Sequence, residues 1–139
     1  MDTFPQLEHW FEHRVSYGET DCMGYVYYAE YFHIFERGRS EFIRSRGKSY
    51  TYVEEHGIFL PVREARCRYR MPARYDYLLR VRTGIAELGR ASVTFAYEVR
   101  HDGDLLSTGM TQHACVNASG SPVAMPAWLR NLIVNGACD

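Results

Sequence analysis

The sequence has no long apolar run. No stretch approaches the ~18 residues that a membrane-crossing helix needs, so no span is expected. The first residues, Met1-Asp2-Thr3-Phe4-Pro5, lack a basic segment followed by an apolar core, and no secretory signal is expected. Cysteine is sparse. Cys22, Cys67, Cys115 and Cys138 stand far apart with no C-x-x-C pair, which argues against a disulfide framework or a zinc site and for reduced thiols in a cytoplasmic protein. An excess of one charge is also missing. Sixteen basic residues face 17 acidic ones for a net charge of -1, which speaks against a dedicated nucleic-acid or membrane-surface protein.

Several catalytic signatures are absent as well. There is no G-x-S-x-G, so the serine-hydrolase elbow is missing. There is no H-E-x-x-H or other Cys/His ligand spacing, so no metal is expected. Neither G-x-x-x-x-G-K-S/T nor G-x-G-x-x-G occurs, which leaves nucleotide-dependent chemistry without a phosphate cradle. The six histidines are scattered. His13 and His113 fall within strand-like segments, where a core or pocket histidine is more common than a base.

What remains is a foldable chain. Its 139 residues suit one domain spanning 1–139, and 46% hydrophobic with 14% aromatic content argues against disorder. Eleven tyrosines suit half-wet pockets and interfaces, because each pairs a ring with a polar tip. Residues 10–17 alternate, with Phe11, His13, Val15 and Tyr17 on one face, and predict a strand. The turn-rich Gly18–Gly24 follows. Helical spacing of Tyr28, Tyr31, Phe32, Phe35, Gly38 and Phe42 predicts a helix over 28–46, widened by Ala29 and Ile34 and stopped by Gly47. One more helical turn is expected at 50–56.

Extended runs follow at 58–70, 77–86, 91–100 and 105–117, with Met110, Ala114 and Val116 in phase on the last, and a hairpin at Asp102-Gly103. A short helix is expected at 127–134. One strand, a long helix and about four antiparallel strands define an α+β class, with one antiparallel sheet packed on the helix. Such a layer leaves an open edge and an apolar face, so a homodimer or homotetramer is expected.

Candidate chemistry centres on Asp21, between the first strand and the long helix. Two readings stand side by side. A carboxylate there can cap a helix or form a turn. It can also act as a base or nucleophile beside free N–H groups that polarise a carbonyl. Gly24 permits a backbone conformation closed to other residues and lets a ligand approach. Tyr25, Val26, Tyr27 and Tyr28 set aromatic and apolar surface beside the carboxylate, as pocket or as core. Glu12 and Glu19 read as surface residues, and Glu36 as an ion-pair or dimer contact. Between 63 and 90, eight arginines against three acids leave a local charge of +5, either solvated strand faces or a seat for a phosphate-bearing molecule.

The segment Arg14-Val15-Ser16-Tyr17-Gly18-Glu19-Thr20-Asp21-Cys22-Met23-Gly24-Tyr25-Val26-Tyr27-Tyr28-Ala29-Glu30-Tyr31-Phe32 resembles the signature of the 4-hydroxybenzoyl-CoA thioesterase-like (YbgC-type) acyl-CoA thioesterases of the hot-dog superfamily. The runs Phe35-Glu36-Arg37, Tyr69-Arg70-Met71-Pro72-Ala73-Arg74-Tyr75-Asp76, Gly89-Arg90-Ala91-Ser92 and Gly109–Val116 also resemble that family, so the likeness covers about residues 10–130. It implies a curved sheet wrapped around the helix and hydrolysis of an acyl-CoA, with coenzyme A entering as part of the substrate and no separate cofactor. It also implies that Asp21 is the catalytic aspartate, that the Tyr28 N–H polarises the thioester carbonyl, and that Gly24 is the active-site glycine. Tyr25, Val26, Tyr27 and Tyr31 would line the substrate site. Arg70, Arg74 and Arg90, from a pool that includes Arg63, Arg66 and Arg68, would meet the phosphates. Cys22 departs from the family pattern, and a thiol beside a carboxylate is not activated. Acyl carrier protein is a possible alternative acyl donor. A non-catalytic acyl-CoA-binding or sensing module is the rival reading.

Overall fold

The computed structural model describes residues 3–137. Cys138 lies outside them. In chain order the elements are β1 (Glu8–Arg14), α1 (Glu30–Ser45), α2 (Tyr50–Glu55), β2 (Val62–Tyr69), β3 (Leu78–Leu88), β4 (Ser92–His101), β5 (Asp104–Ala114) and α3 (Ala127–Asn135). The strands form one antiparallel sheet in the order β1-β3-β4-β5-β2. This is the α+β arrangement expected, with α1 lying against one face of the sheet.

Period-two patterning sets the sheet's inner face. Val93, Phe95, Tyr97 and Val99 of β4 are buried, as are Leu79, Val81, Thr83 and Ile85 of β3. Asp102 and Gly103 both adopt positive φ, 49° and 87°, and return the chain so that His101 pairs with Asp104. Two successive left-handed residues match the twist of the flanking strands, which is why Asp-Gly marks such hairpins.

Helix α1 buries Tyr31, Ile34, Phe35, Gly38, Phe42 and Ile43 against that face. The Phe35 ring stacks on Tyr97 with centroids 4.4 Å apart, and Phe42 meets Phe95 edge-on at 6.1 Å. Each such burial contributes about 1.5–3 kcal/mol. The helix ends where Gly47 takes φ 106°, as the sequence predicts. Gly109 allows a close approach of helix and sheet: a Cβ there would lie 2.3 Å from Phe35 Cε2.

Two strand expectations need correction. Met110 and Ala114 do not face the core. The inward set on β5 is Ser107, Gly109, Thr111 and His113, because Phe35 demands a residue without a side chain at 109 and the Thr111 hydroxyl is bonded to both Tyr97 and His113. Tyr17 is not a strand residue. It opens a single 3-10 turn, Tyr17–Glu19, and is 73% exposed. Edge strand β2 is exposed along nearly its whole length. No helix of the described residues is long and apolar enough to cross a membrane.

Candidate active site

The loop after β1 is fixed from beneath by Glu19. Ser16 N–H donates to Glu19 Oε1 at 2.8 Å, and the Ser16 hydroxyl donates to the same oxygen at 3.1 Å. His13 Nε2 donates to Glu19 Oε2 at 2.7 Å, with Arg37 Nη1 at 3.4 Å. Burial alone would push this carboxyl up, but the Ser16 N–H, the His13 ring and the Ser16 hydroxyl outweigh it and hold it below the ordinary range. Glu19 is therefore buried rather than the surface residue the sequence suggests. The Ser16-x-x-Glu19 spacing of a capping box is the signal that could have shown it.

Above this anchor the loop closes on itself. The Glu19 carbonyl accepts from the Tyr27 N–H at 2.8 Å, and Asp21 N–H donates to the Tyr25 carbonyl at 2.7 Å. The Asp21 side chain accepts through Oδ1 from Met23 N–H at 2.9 Å and from Tyr25 N–H at 3.2 Å. Gly24, at φ 80°, completes the turn. Asp21 thus ties its own turn and does not cap α1, whose N-cap position is Ala29 with no side-chain hydrogen bond. Asp21 Oδ2 accepts no hydrogen bond among the described residues.

Among the described residues, a backbone donor is left unpaired just ahead of α1, two residues before its first residue. Glu30 N–H donates to the Tyr27 carbonyl, whereas the Tyr28 N–H meets no acceptor among the described residues. Asp21 and Tyr28 line one cavity of about 350 Å³ together with Tyr25, Val26, Tyr31, Tyr69, Arg70, Met71 and Pro72. Two backbone ties hold its halves together. Val26 N–H donates to the Ala73 carbonyl at 2.8 Å, and Tyr25 forms a bridge with Arg74.

Six of the residues singled out from the sequence therefore meet at the cavity: Asp21, Tyr25, Val26, Tyr28, Tyr31 and Arg70. Gly24, Tyr27 and Arg74 stand beside it without lining it. The Arg74 guanidinium lies over the Tyr25 ring, 4.7 Å from its centroid, and the Tyr27 ring packs 4.7 Å from that of Tyr28. Arg90 is elsewhere. It follows β3, at the end of the sheet opposite the Asp21 loop, about 35 Å of extended strand away. Tyr69, Met71 and Pro72 line the cavity without being among the expected site residues, and the Tyr-x-x-Pro-Ala run that carries them is their signal in the sequence.

Other titratable groups stay apart from the cavity. His113 donates from Nδ1 to the Leu60 carbonyl and accepts at Nε2 from Thr111 Oγ1, both at 2.8 Å. Burial pushes it down to about 4, so the ring is neutral, as a core histidine should be. Among the described residues, no group of three or more His, Cys, Asp or Glu side chains converges as a metal site would.

A curved antiparallel sheet on one long helix, with an acidic loop at the helix start, defines a hot-dog protein of the thioesterase type. The model of the Thioesterase-like superfamily matches residues 15–133, and the chain belongs to that family. It is 35% identical over 115 residues to the Acyl-CoA thioesterase YbgC of Haemophilus influenzae, covering 81% of this chain and 85% of that one. It is 31% identical over 115 residues to the Acyl-CoA thioester hydrolase YbgC of Escherichia coli O6:H1, covering 81% and 86%. Among solved structures, the DHNA-CoA thioesterase of Staphylococcus aureus superposes with a TM-score of 0.83 at 29% identity, covering 88% of this chain and 87% of that one.

Proposed function

We propose that the protein is a thioester hydrolase that cleaves acyl-CoA to a free acid and coenzyme A. The observation that supports this reading is that Asp21 and Tyr28, whose N–H meets no acceptor among the described residues, line the same cavity. In the general-base form, the Asp21 carboxylate takes a proton from water, and the hydroxide adds to the thioester carbonyl carbon. The negative charge that develops on the carbonyl oxygen is met by the Tyr28 N–H. Collapse breaks the C–S bond, and the departing sulfur takes the proton back from Asp21. In the nucleophilic form, Asp21 adds to the carbonyl carbon and expels the thiolate, and water then hydrolyses the mixed anhydride.

Gly24 keeps the loop tight enough for the carbonyl to approach. Tyr25, Val26, Tyr27 and Tyr31 shape the acyl and pantetheine path. Arg70 and Arg74 supply positive charge at its mouth. Arg90 would meet phosphates only if a second copy brought its cavity to that end of the sheet. The open β2 edge supports self-association as a homodimer or homotetramer. Free Cys22, Cys67 and Cys115 support a reducing, cytoplasmic setting. Acyl carrier protein stays an alternative donor within the same chemistry.

One observation favours the rival, a non-catalytic acyl-CoA-binding module: Asp21 Oδ1 is already used in turn hydrogen bonds. The two readings separate on a panel of short, long and aromatic acyl-CoAs, with free thiol as the readout. Thiol release supports the hydrolase, and tight binding without it supports the module. Asp21→Asn keeps an Oδ1 acceptor for the turn, so the loop stays formed. The variant should lose more than ~100-fold in kcat with KM little changed. Turnover near wild type would remove Asp21 from the chemistry.

A further inference from the structure

The peptide that carries the assigned amide is held on one side, where its Tyr27 carbonyl accepts from the Glu30 N–H at 2.8 Å. Tyr28 is 61% exposed and precedes the first residue of α1. A donor is useful to a developing charge only if its direction is fixed before the reaction. One side chain among the described residues hydrogen-bonds to the Tyr28 backbone: the Tyr69 hydroxyl donates to its carbonyl oxygen at 2.8 Å.

Tyr69 is itself well placed. It is the last residue of β2, paired with Ser107 of β5, and the next two N–H groups, of Arg70 and Met71, both donate to the Leu106 carbonyl. Its ring stands edge-on to the buried Tyr31, with centroids 5.1 Å apart. The sheet thus fixes the Tyr69 backbone, Tyr31 fixes its ring, and its hydroxyl reaches the start of α1. Partial burial, followed by the neighbouring Cys67 thiol, pushes the phenol above its ordinary range, so it remains a donor at any working pH.

We infer that Tyr69 is a positioning residue for hydrolysis, which holds the Tyr28 carbonyl so that the N–H on the other side of the same Cα is aimed into the cavity. The two peptide planes share one Cα, and with the Tyr27 carbonyl held by the Glu30 N–H on one side and the Tyr28 carbonyl held by Tyr69 on the other, φ and ψ of Tyr28 are pinned from both sides. The inference rests on the thioesterase reading. Tyr69 makes no bond to the reacting atoms and acts through Tyr28.

The test is Tyr69→Phe, which removes the hydroxyl and keeps the ring, assayed by thiol release from the acyl-CoA that wild type turns over fastest. Losing one fixed hydrogen bond should lower kcat about tenfold while KM stays within about twofold. The melting temperature should move little. Tyr75→Phe, which removes a hydroxyl from an exposed ring stacked on Tyr17, should leave both readouts unchanged. Wild-type kcat in Tyr69→Phe would overturn the inference and leave the hydrolase reading standing. A tenfold fall equalled by Tyr75→Phe would also overturn it. A wild type that releases no thiol from any acyl-CoA would sink the hydrolase reading and the inference with it. If Tyr69→Phe does not fold, Tyr69→Trp keeps an aromatic ring but moves its donor, and wild-type kcat there would equally overturn the role.

Discussion

His13 and Glu19 form a hydrogen-bonded pair 2.7 Å apart beneath the Asp21 loop, with Glu19 only 6% exposed. The same carboxylate takes the Ser16 N–H and hydroxyl, so one buried acid ties the end of β1 to the loop. Glu19→Ala should destabilise the fold by about 1–3 kcal/mol in urea unfolding, because it leaves the Ser16 N–H and His13 without an acceptor. The folded carboxyl sits below its unfolded value, so its contribution is fully present above about pH 4.5 and is lost as pH falls through the folded value. The gap between wild type and Glu19→Ala should therefore close in acid. A gap that stays constant as the pH is lowered below 4.5 would contradict this.

His113 should lose stability with the same sign, starting at a higher pH. Its folded value of about 4 lies below the ordinary 6.5, so the unfolded chain binds its proton first. Stability should be complete above pH 6.5 and decline towards pH 4, by an amount on the order of 2–3 kcal/mol. The ring's NMR signals should stay unprotonated down to pH 5. A midpoint near 6.5 would mean that the ring does not hold the Leu60 carbonyl and the Thr111 hydroxyl as described.

Gly109→Ala should cost about 1–3 kcal/mol, since the added methyl would meet the Phe35 ring at 2.3 Å and push α1 off the sheet. Gly103→Ala makes a useful contrast. Nothing lies within 4 Å of its added carbon, and only the strain of φ 87° is felt, about 1 kcal/mol. Thermal unfolding of the two variants checks the order.

Legibility followed the range of the interaction. The β4 alternation and the Asp102-Gly103 turn are local, and both could be read directly. The long helix was placed to within two residues at its start, because Tyr31, Ile34, Phe35 and Phe42 repeat on one face. The β5 phase was misread for a physical reason. Met110 outranks Gly109 and Thr111 in hydrophobicity, yet the inner face needed an absent side chain under Phe35 and a hydroxyl between Tyr97 and His113.

At the site, Asp21 and Tyr28 lie seven residues apart, and their loop was visible in the sequence. Tyr69, Met71 and Pro72 arrive from another strand, and no local pattern measures that distance. Arg70 and Arg90 carry the same charge and the same propensity. Only the course of β3 tells that they end at opposite ends of the sheet.

The order of the strands has a mechanical consequence. Asp21 follows β1 and Tyr69 closes β2, and these two strands are the outermost of the five. Their loops can share a hollow only because the sheet rolls over α1 until its margins face each other across the start of the helix. The width of the hollow is therefore set by how tightly the three inner strands are curled. A bulkier or smaller side chain beneath α1, far from any substrate, would open or pinch the cleft like a change in the curvature of a cupped hand.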